Sequence, residues 1–199
     1  LIETMTDRNI LIVHHNLYHA QKMYDQYSQI DDAVLFYPQD EFITTEMLAM
    51  SESLKFERLE TVKSIINPGR HVVITHPTGF IKSLYPLKYY KDAEITYRVG
   101  DDIDIEAFIS MLIMYGYKRA NVVEQVGEFS IRGSIIDIFL TDYNEPIRID
   151  LFDTEIDSIR TFSAQTQRSM HKKDAFHVFP RVEFFYTEAI LQTIQSNVH

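Results

Sequence analysis

The sequence predicts an α/β protein in two parts, a parallel-sheet subdomain and an α+β unit built on an antiparallel sheet. Two observations predict this. Up to residue 92, short β-branched runs alternate with amphipathic stretches, the pattern of strands that each feed a helix. From residue 93 the apolar runs shorten, alternate with polar residues and are punctuated by turn signals, the pattern of hairpins. The α+β unit, 93–180, reads as an insertion, because the amphipathic tail 181–199 is suited to rejoin the subdomain of residues 1–92.

The elements follow in order. Residues 9–13 (NILIV) form a buried-strand pattern. Asn16 can cap the helix that follows, on which Leu17, Ala20, Met23, Tyr24 and Tyr27 recur every three or four positions. A second buried strand, 33–37 (AVLFY), is stopped by Pro38. A long helical pattern over 46–66 ends at Asn67-Pro68-Gly69. Residues 71–75 (HVVIT) predict a third strand, and 78–84 a short helix. In the second part, 95–99 alternates and 101–115 is helical. The short runs 121–125, 128–139, 146–152 and 156–162 then follow, with turns at 126–127, 141–145 and 153–154. A last helix is expected over 187–196.

Composition narrows the function. The 199 residues carry 19 Lys+Arg against 29 Asp+Glu, a net charge of −10. That balance argues against non-specific nucleic-acid binding, which needs a basic footprint. With no Cys there is neither a disulfide nor a thiolate metal site, which suits a reducing cytoplasm. No apolar run approaches the roughly 18–20 residues of a membrane span. The chain starts with Leu rather than Met and shows no signal-peptide pattern, so a piece of something longer is expected.

Catalytic chemistry finds little support. None of the six glycines falls in GxxxxGK[ST] or GxGxxG, so no phosphate loop, ATP hydrolysis or cofactor is expected. His15 and His19 have the i, i+4 spacing of a metal pair, with His14 adjacent, but lack the further ligands of a closed site. Asp137, Asp150, Asp153, Glu155 and Asp157 crowd one hairpin region, as in a two-metal nuclease. Asp153 and Glu155, however, fall at a turn, and no lysine lies in these strands.

The arginines are more informative. Strand side chains alternate between faces. In 146–152, Ile147, Ile149 and Leu151 face one way, and Arg148, Asp150 and Phe152 the other. In 128–133, Ser130 and Arg132 lie opposite Phe129 and Ile131. If these strands pair, Arg132 and Arg148 meet with Asp150 between them and Phe152 at the edge. Arg and aromatic residues are enriched where partners bind. Pattern alone leaves two readings open: a face made to be bound, or a solvated sheet face with an Arg–Asp pair and a Phe tucked under a neighbouring helix.

The segment 127–169 contains GEFSIRGSIIDIF and then EPIRIDLFDTEIDSIRTFSAQTQRS. It closely resembles the UvrB-homology module at the N-terminus of the bacterial transcription-repair coupling factors (Mfd). Upstream, NILIVHHNLYHAQKMYDQ and PGRHVVITHPTGFIKSLYP resemble the family's first subdomain more weakly. UvrB shares the motif in its domain 2, but it also has a phosphate-binding loop and a Tyr-rich hairpin. The stretch after Pro38, QDEFITTEMLAMSESLKFERLETV, lacks that tyrosine cluster and reads as helical.

The resemblance implies a degenerate helicase-like lobe (1–92 with 181–199) and a UvrB domain 2-like unit (93–180). It implies a cytoplasmic, non-catalytic docking module that recruits UvrA to stalled RNA polymerase. The full-length family protein is an ATP-dependent translocase that also engages double-stranded DNA, and another of its domains covers the UvrA-binding face. By the same resemblance the UvrA-contacting residues are Arg132, Arg148 and Phe152, with Arg119 and Asp150 added from the related UvrB surface. UvrB has a further Arg where this chain has Ser130. The alternatives are a UvrB fragment, or a degenerate helicase lobe that binds nucleotide or DNA.

Overall fold

The computed structural model describes residues 8–39 and 48–186. The chain is mixed α/β and forms two compact units, residues 1–91 and 92–199.

The first unit contains β1 (Ile10–Val13), α1 (Leu17–Tyr27), β2 (Val34–Tyr37), α2 (Leu48–Ile65), β3 (Val72–Thr75) and the single-turn α3 (Pro77–Phe80). The strands form a parallel sheet in the order β1-β3-β2. Asn16 caps α1 as expected, its side chain accepting from the His19 amide at 3.0 Å. Ala20, Val34, Phe36, Val72 and Ile74 form the core, with Leu17, Met23 and Tyr24 packed against it. Thr61 on α2 donates to the Phe36 carbonyl, fixing that helix to β2. The expectation of a fully buried first strand fails. β1 is an edge strand whose Leu11 and Val13 are exposed, because only one of its faces is covered. The long helix appears from Leu48; the start expected at 46 lies outside the described residues.

A short helix α4 (Leu87–Asp92), absent from the sequence reading, leads to β4 (Ile95–Arg98). The helix α5 (Ile105–Met114) begins at Asp104, whose carboxylate accepts from the Glu106 and Ala107 amides. Then come β5 (Lys118–Arg119), β6 (Glu128–Arg132), β7 (Ile135–Ile138), β8 (Ile147–Phe152), β9 (Glu155–Phe162), β10 (Ser169–Lys173) and β11 (Ala175–Val178). The main sheet has the order β10-β9-β8-β7-β6-β5; β4 pairs with β11 in a separate ribbon.

Two local expectations need correction, and one is made more specific. Residues 121–125 form a loop; the edge strand is the two-residue β5, parallel to β6. The run 128–139 is two strands, because Gly133 adopts φ +61 and turns the chain. The alternation of residues 95–99 is that of the ribbon, in which Tyr97 stacks on Phe176.

One face of the main sheet is apolar. Phe129, Ile136, Ile138, Ile147, Ile149, Ile156 and Ile159 are all buried there. The segment 181–186, which the sequence reading joins to the first subdomain, packs instead within the second unit. The Arg181 amide donates to the Tyr115 carbonyl at 2.7 Å, and the Phe185 ring meets the Tyr115 ring edge-on. The helix expected over 187–196 lies outside the described residues. Among the described residues no helix is long and apolar enough to cross a membrane.

Gly127 sits where the chain enters β6. Its φ is +90, and a Cβ there would lie 1.6 Å from Arg181 Nη1. Its amide donates to Phe139 and its carbonyl accepts from Lys118, so the position cannot drift. Gly127→Ala should therefore lower stability by about 1–3 kcal/mol through backbone strain and displacement of Arg181, measured by urea unfolding.

Glu60 on α2 is half-buried, and that burial holds its carboxyl above the usual range, with nearby Lys63 opposing. A carboxyl that ionises at higher pH when folded favours the folded state while protonated. That stabilisation is lost as pH rises through the raised value. Glu60→Gln should raise the melting temperature at neutral pH, and the gain should vanish in acid, below the pH at which the unfolded carboxyl protonates.

Candidate functional site

The outer face of the main sheet is organised by register. Ser130 on β6 stands beside Asp137 on β7, Asp137 beside Arg148 on β8, Arg148 beside Arg160 on β9, and Arg160 beside Lys172 on β10. The next row holds Arg132, Ile135, Asp150 and Ser158. Beyond it, Phe152 closes the β8–β9 hairpin, where Asp153 takes φ +59 at the turn.

At the centre is a buried carboxylate. Asp137 is 1% exposed. Its Oδ1 accepts from Arg148 Nε at 2.7 Å, and its Oδ2 accepts from Arg148 Nη2 at 2.9 Å and from Arg132 Nη2 at 2.6 Å. Arg148 thus grips both oxygens, while Arg132 reaches in diagonally from the neighbouring row. The Asp137 hydrogen bonds hold the Arg148 guanidinium protonated even more firmly than usual, against partial burial.

Arg148 is held on its other sides too. Its Nη1 donates to the Gln167 carbonyl at 3.2 Å, and its guanidinium lies 4.5 Å above the buried Phe162 ring. Gln167 itself has φ +59, and its amide group donates to Val123 and Ala164 carbonyls. The loops 121–123 and 163–168 are thereby fastened beside the arginines. Ser130 belongs to the same frame, its hydroxyl donating to the Asn121 carbonyl.

The structure brings Arg132 and Arg148 together as expected, but through Asp137, not Asp150. Asp150 accepts instead from Ser158 Oγ at 3.0 Å and lies 3.9 Å from Arg160 Nη1. The reason is register: the turn at Gly133 folds β7 back against β6 with Asp137 opposite Ser130, and β8 then pairs with β7 so that Arg148 lies opposite Asp137. The signal was an Asp within the apolar IIDIF, where a buried carboxylate demands cationic partners. Arg160, Phe162 and Gln167 were also missed; their i, i+2 and loop relations show only once the β9 register is known.

Phe152 is 79% exposed, and Arg132 keeps about half of its side chain in solvent. The alternative of a Phe tucked under a helix therefore fails. Arg119 is exposed on β5 in register with the buried Phe129, not with Ser130 or Arg132. It flanks the face without joining the cluster.

The carboxylates weighed as a nuclease site are dispersed. Asp137 is neutralised by two arginines, Asp150 faces Ser158 and Arg160, Asp153 makes the turn, and Glu155 pairs with Asp102 through the backbone. The His15 and His19 rings lie 4.2 Å apart. Among the described residues no group of three or more His, Asp or Glu could hold a metal ion.

A family model described as the UvrB interaction domain matches residues 95–184. The chain is 37% identical over 193 residues to a transcription-repair-coupling factor of Staphylococcus epidermidis, covering 96% of this chain and 16% of that protein. The same protein of Staphylococcus aureus USA300 is 36% identical over 195 residues, covering 97% and 17%. This chain belongs to the transcription-repair-coupling factors. It spans about one sixth of the length of these relatives.

Within this member of the family the two arginines differ in energetic weight. Arg148→Ala strips a buried carboxylate of two hydrogen bonds and uncovers Phe162, and should cost about 2–4 kcal/mol of stability. Arg132→Ala removes one half-exposed partner and should cost about 1 kcal/mol or less. Equal costs in urea unfolding would contradict this division.

Proposed function

We propose that this chain is a non-catalytic docking module of transcription-coupled DNA repair that binds UvrA and recruits it to stalled RNA polymerase. One observation carries the reading: a phenylalanine left 79% exposed on the sheet face that also presents paired guanidiniums. An aromatic anchor beside arginines is the composition of a binding hot spot. In this reading Phe152 is the anchor, Arg132 the outward cation, and Arg148 the support behind it. Asp150 and Arg119 contribute at the margins.

The family match supports the reading, since residues 95–184 fit a domain described by interaction and not by catalysis. The first unit is a degenerate helicase-like lobe. Where a phosphate loop would lead from β1 into α1, the chain reads His14-His15-Asn16, and the Asn16 side chain already occupies the His19 amide. No cofactor is therefore assigned to this chain. Its setting is the cytoplasm, and the contacts with RNA polymerase and double-stranded DNA belong to the whole protein.

The test is a calorimetric titration of this chain with purified UvrA. Phe152→Ala should weaken binding at least about tenfold while leaving the melting temperature unchanged or higher. If the folded wild-type chain fails to bind UvrA, or if Phe152→Ala binds as tightly as wild type, the reading is overturned.

A further inference from the structure

We propose that Asp137 is the positioning residue of this face: it fixes the Arg148 and Arg132 guanidiniums in one arrangement, so that Arg132 presents its remaining N–H groups, already oriented, to a carboxylate of the partner. The proposal rests on the docking reading and extends it to a residue that no partner can touch.

Asp137 is too buried to contact anything outside the chain. Yet both its oxygens are engaged, in three hydrogen bonds between 2.6 and 2.9 Å. The two arginines use it differently. Arg148 is fastened on three sides, by Asp137, the Gln167 carbonyl and the Phe162 ring, and its side chain is 15% exposed. It is an anchor with little left to offer. Arg132 is bonded to Asp137 through Nη2 alone, and its side chain is 49% exposed. A guanidinium has five N–H groups in a rigid planar fork. Tethering one of them fixes the plane and leaves the others for a planar acceptor such as a carboxylate.

Charge makes the same point. Two guanidiniums on the strands that flank β7 repel each other, and without a counter-charge Arg132 would swing away into solvent. With Asp137 between them the trio carries one net positive charge. A partner carboxylate then meets a single fixed cation, and no long side chain has to be immobilised on binding, an ordering cost that otherwise weakens affinity.

The experiment is a double-mutant cycle on UvrA binding, with Asp137→Asn, Arg132→Ala and the double variant, each checked for a cooperative thermal transition. Positioning predicts that Arg132→Ala weakens binding about tenfold in the wild-type background and less than about twofold in the Asp137→Asn background. A merely structural Asp137 would leave the Arg132 contribution equal in both, and that result overturns the proposal. Where Asp137→Asn does not fold, Asp137→Ser takes its place in the cycle. A second readout needs no variant: side-chain NMR of the wild-type chain should show a resolved, slowly exchanging Arg148 Nε–H. Exchange as fast as that of exposed arginines overturns the proposal as well. If wild type binds no UvrA, the docking reading falls with it. If wild type binds and the cycle shows no coupling, Asp137 alone loses its assignment.

Discussion

A carboxylate buried in the middle of a β-sheet is costly unless its charge is matched. Asp137 meets that demand with guanidiniums from both neighbouring strands, β6 and β8. The arrangement constrains far more than three side chains. Slipping β7 by one residue against either neighbour would swing Asp137 into the apolar face among Ile147 and Ile149, and would expose Ile136 and Ile138 in its place. Register, strand order and the composition of the outer face are therefore specified together by one buried charge and its two partners.

The remaining architecture holds this sheet still. The Gln167 turn and the 121–123 loop brace the arginines from the side. At the entrance to β6, Gly127 lets Arg181 lie flat against the backbone, where its guanidinium also sits 5.7 Å from the centre of the Tyr117 ring. Burial raises the Tyr117 phenol well above its usual range and pushes that of Tyr115 up to about 12. Both hydroxyls stay protonated and donate to the backbone, Tyr115 to Ala93 and Tyr117 to Phe179. The chain leaving the sheet is thus fastened to the helix that enters it. The β8–β9 hairpin is tied down as well, Thr154 donating to Asp102 and accepting from the Ile103 amide, while the Phe152 ring beside the turn projects into solvent.

Much of this was legible in the sequence. Alternation in 146–152 placed Arg148, Asp150 and Phe152 on one face, and the burial pattern follows it residue by residue. The Asn16 cap, the parallel strands and a helix within 101–115 were written in local chemistry, though its start at Asp104 was not. The failures share a physical cause. Which carboxylate pairs with Arg148 depends on the β7–β8 register, and β7 itself was hidden behind the Gly133 turn inside what looked like one long run. β1 reads as buried because β-branched composition reports strand formation, not which faces are covered. β10, rich in Lys and His with no apolar periodicity, carries no strand signal; it exists because β9 offers it an edge.

The charge distribution explains how an acidic chain can offer a cationic face. The net charge of −10 is a sum over the whole chain, whereas Arg148, Arg160 and Lys172 stand side by side across three strands, with Arg132 one row away. At physiological ionic strength, screening over about 8 Å confines an approaching partner to the charges nearest it. Beyond that range an acidic partner is repelled; within it, the basic row dominates. Added salt weakens both effects, so the net salt dependence of binding measures the balance between local attraction and overall repulsion, not the number of ion pairs formed. Steering is therefore weak, and specificity must come from contact: a fixed guanidinium plane that selects a carboxylate, and an exposed ring that requires an apolar pocket within reach of it.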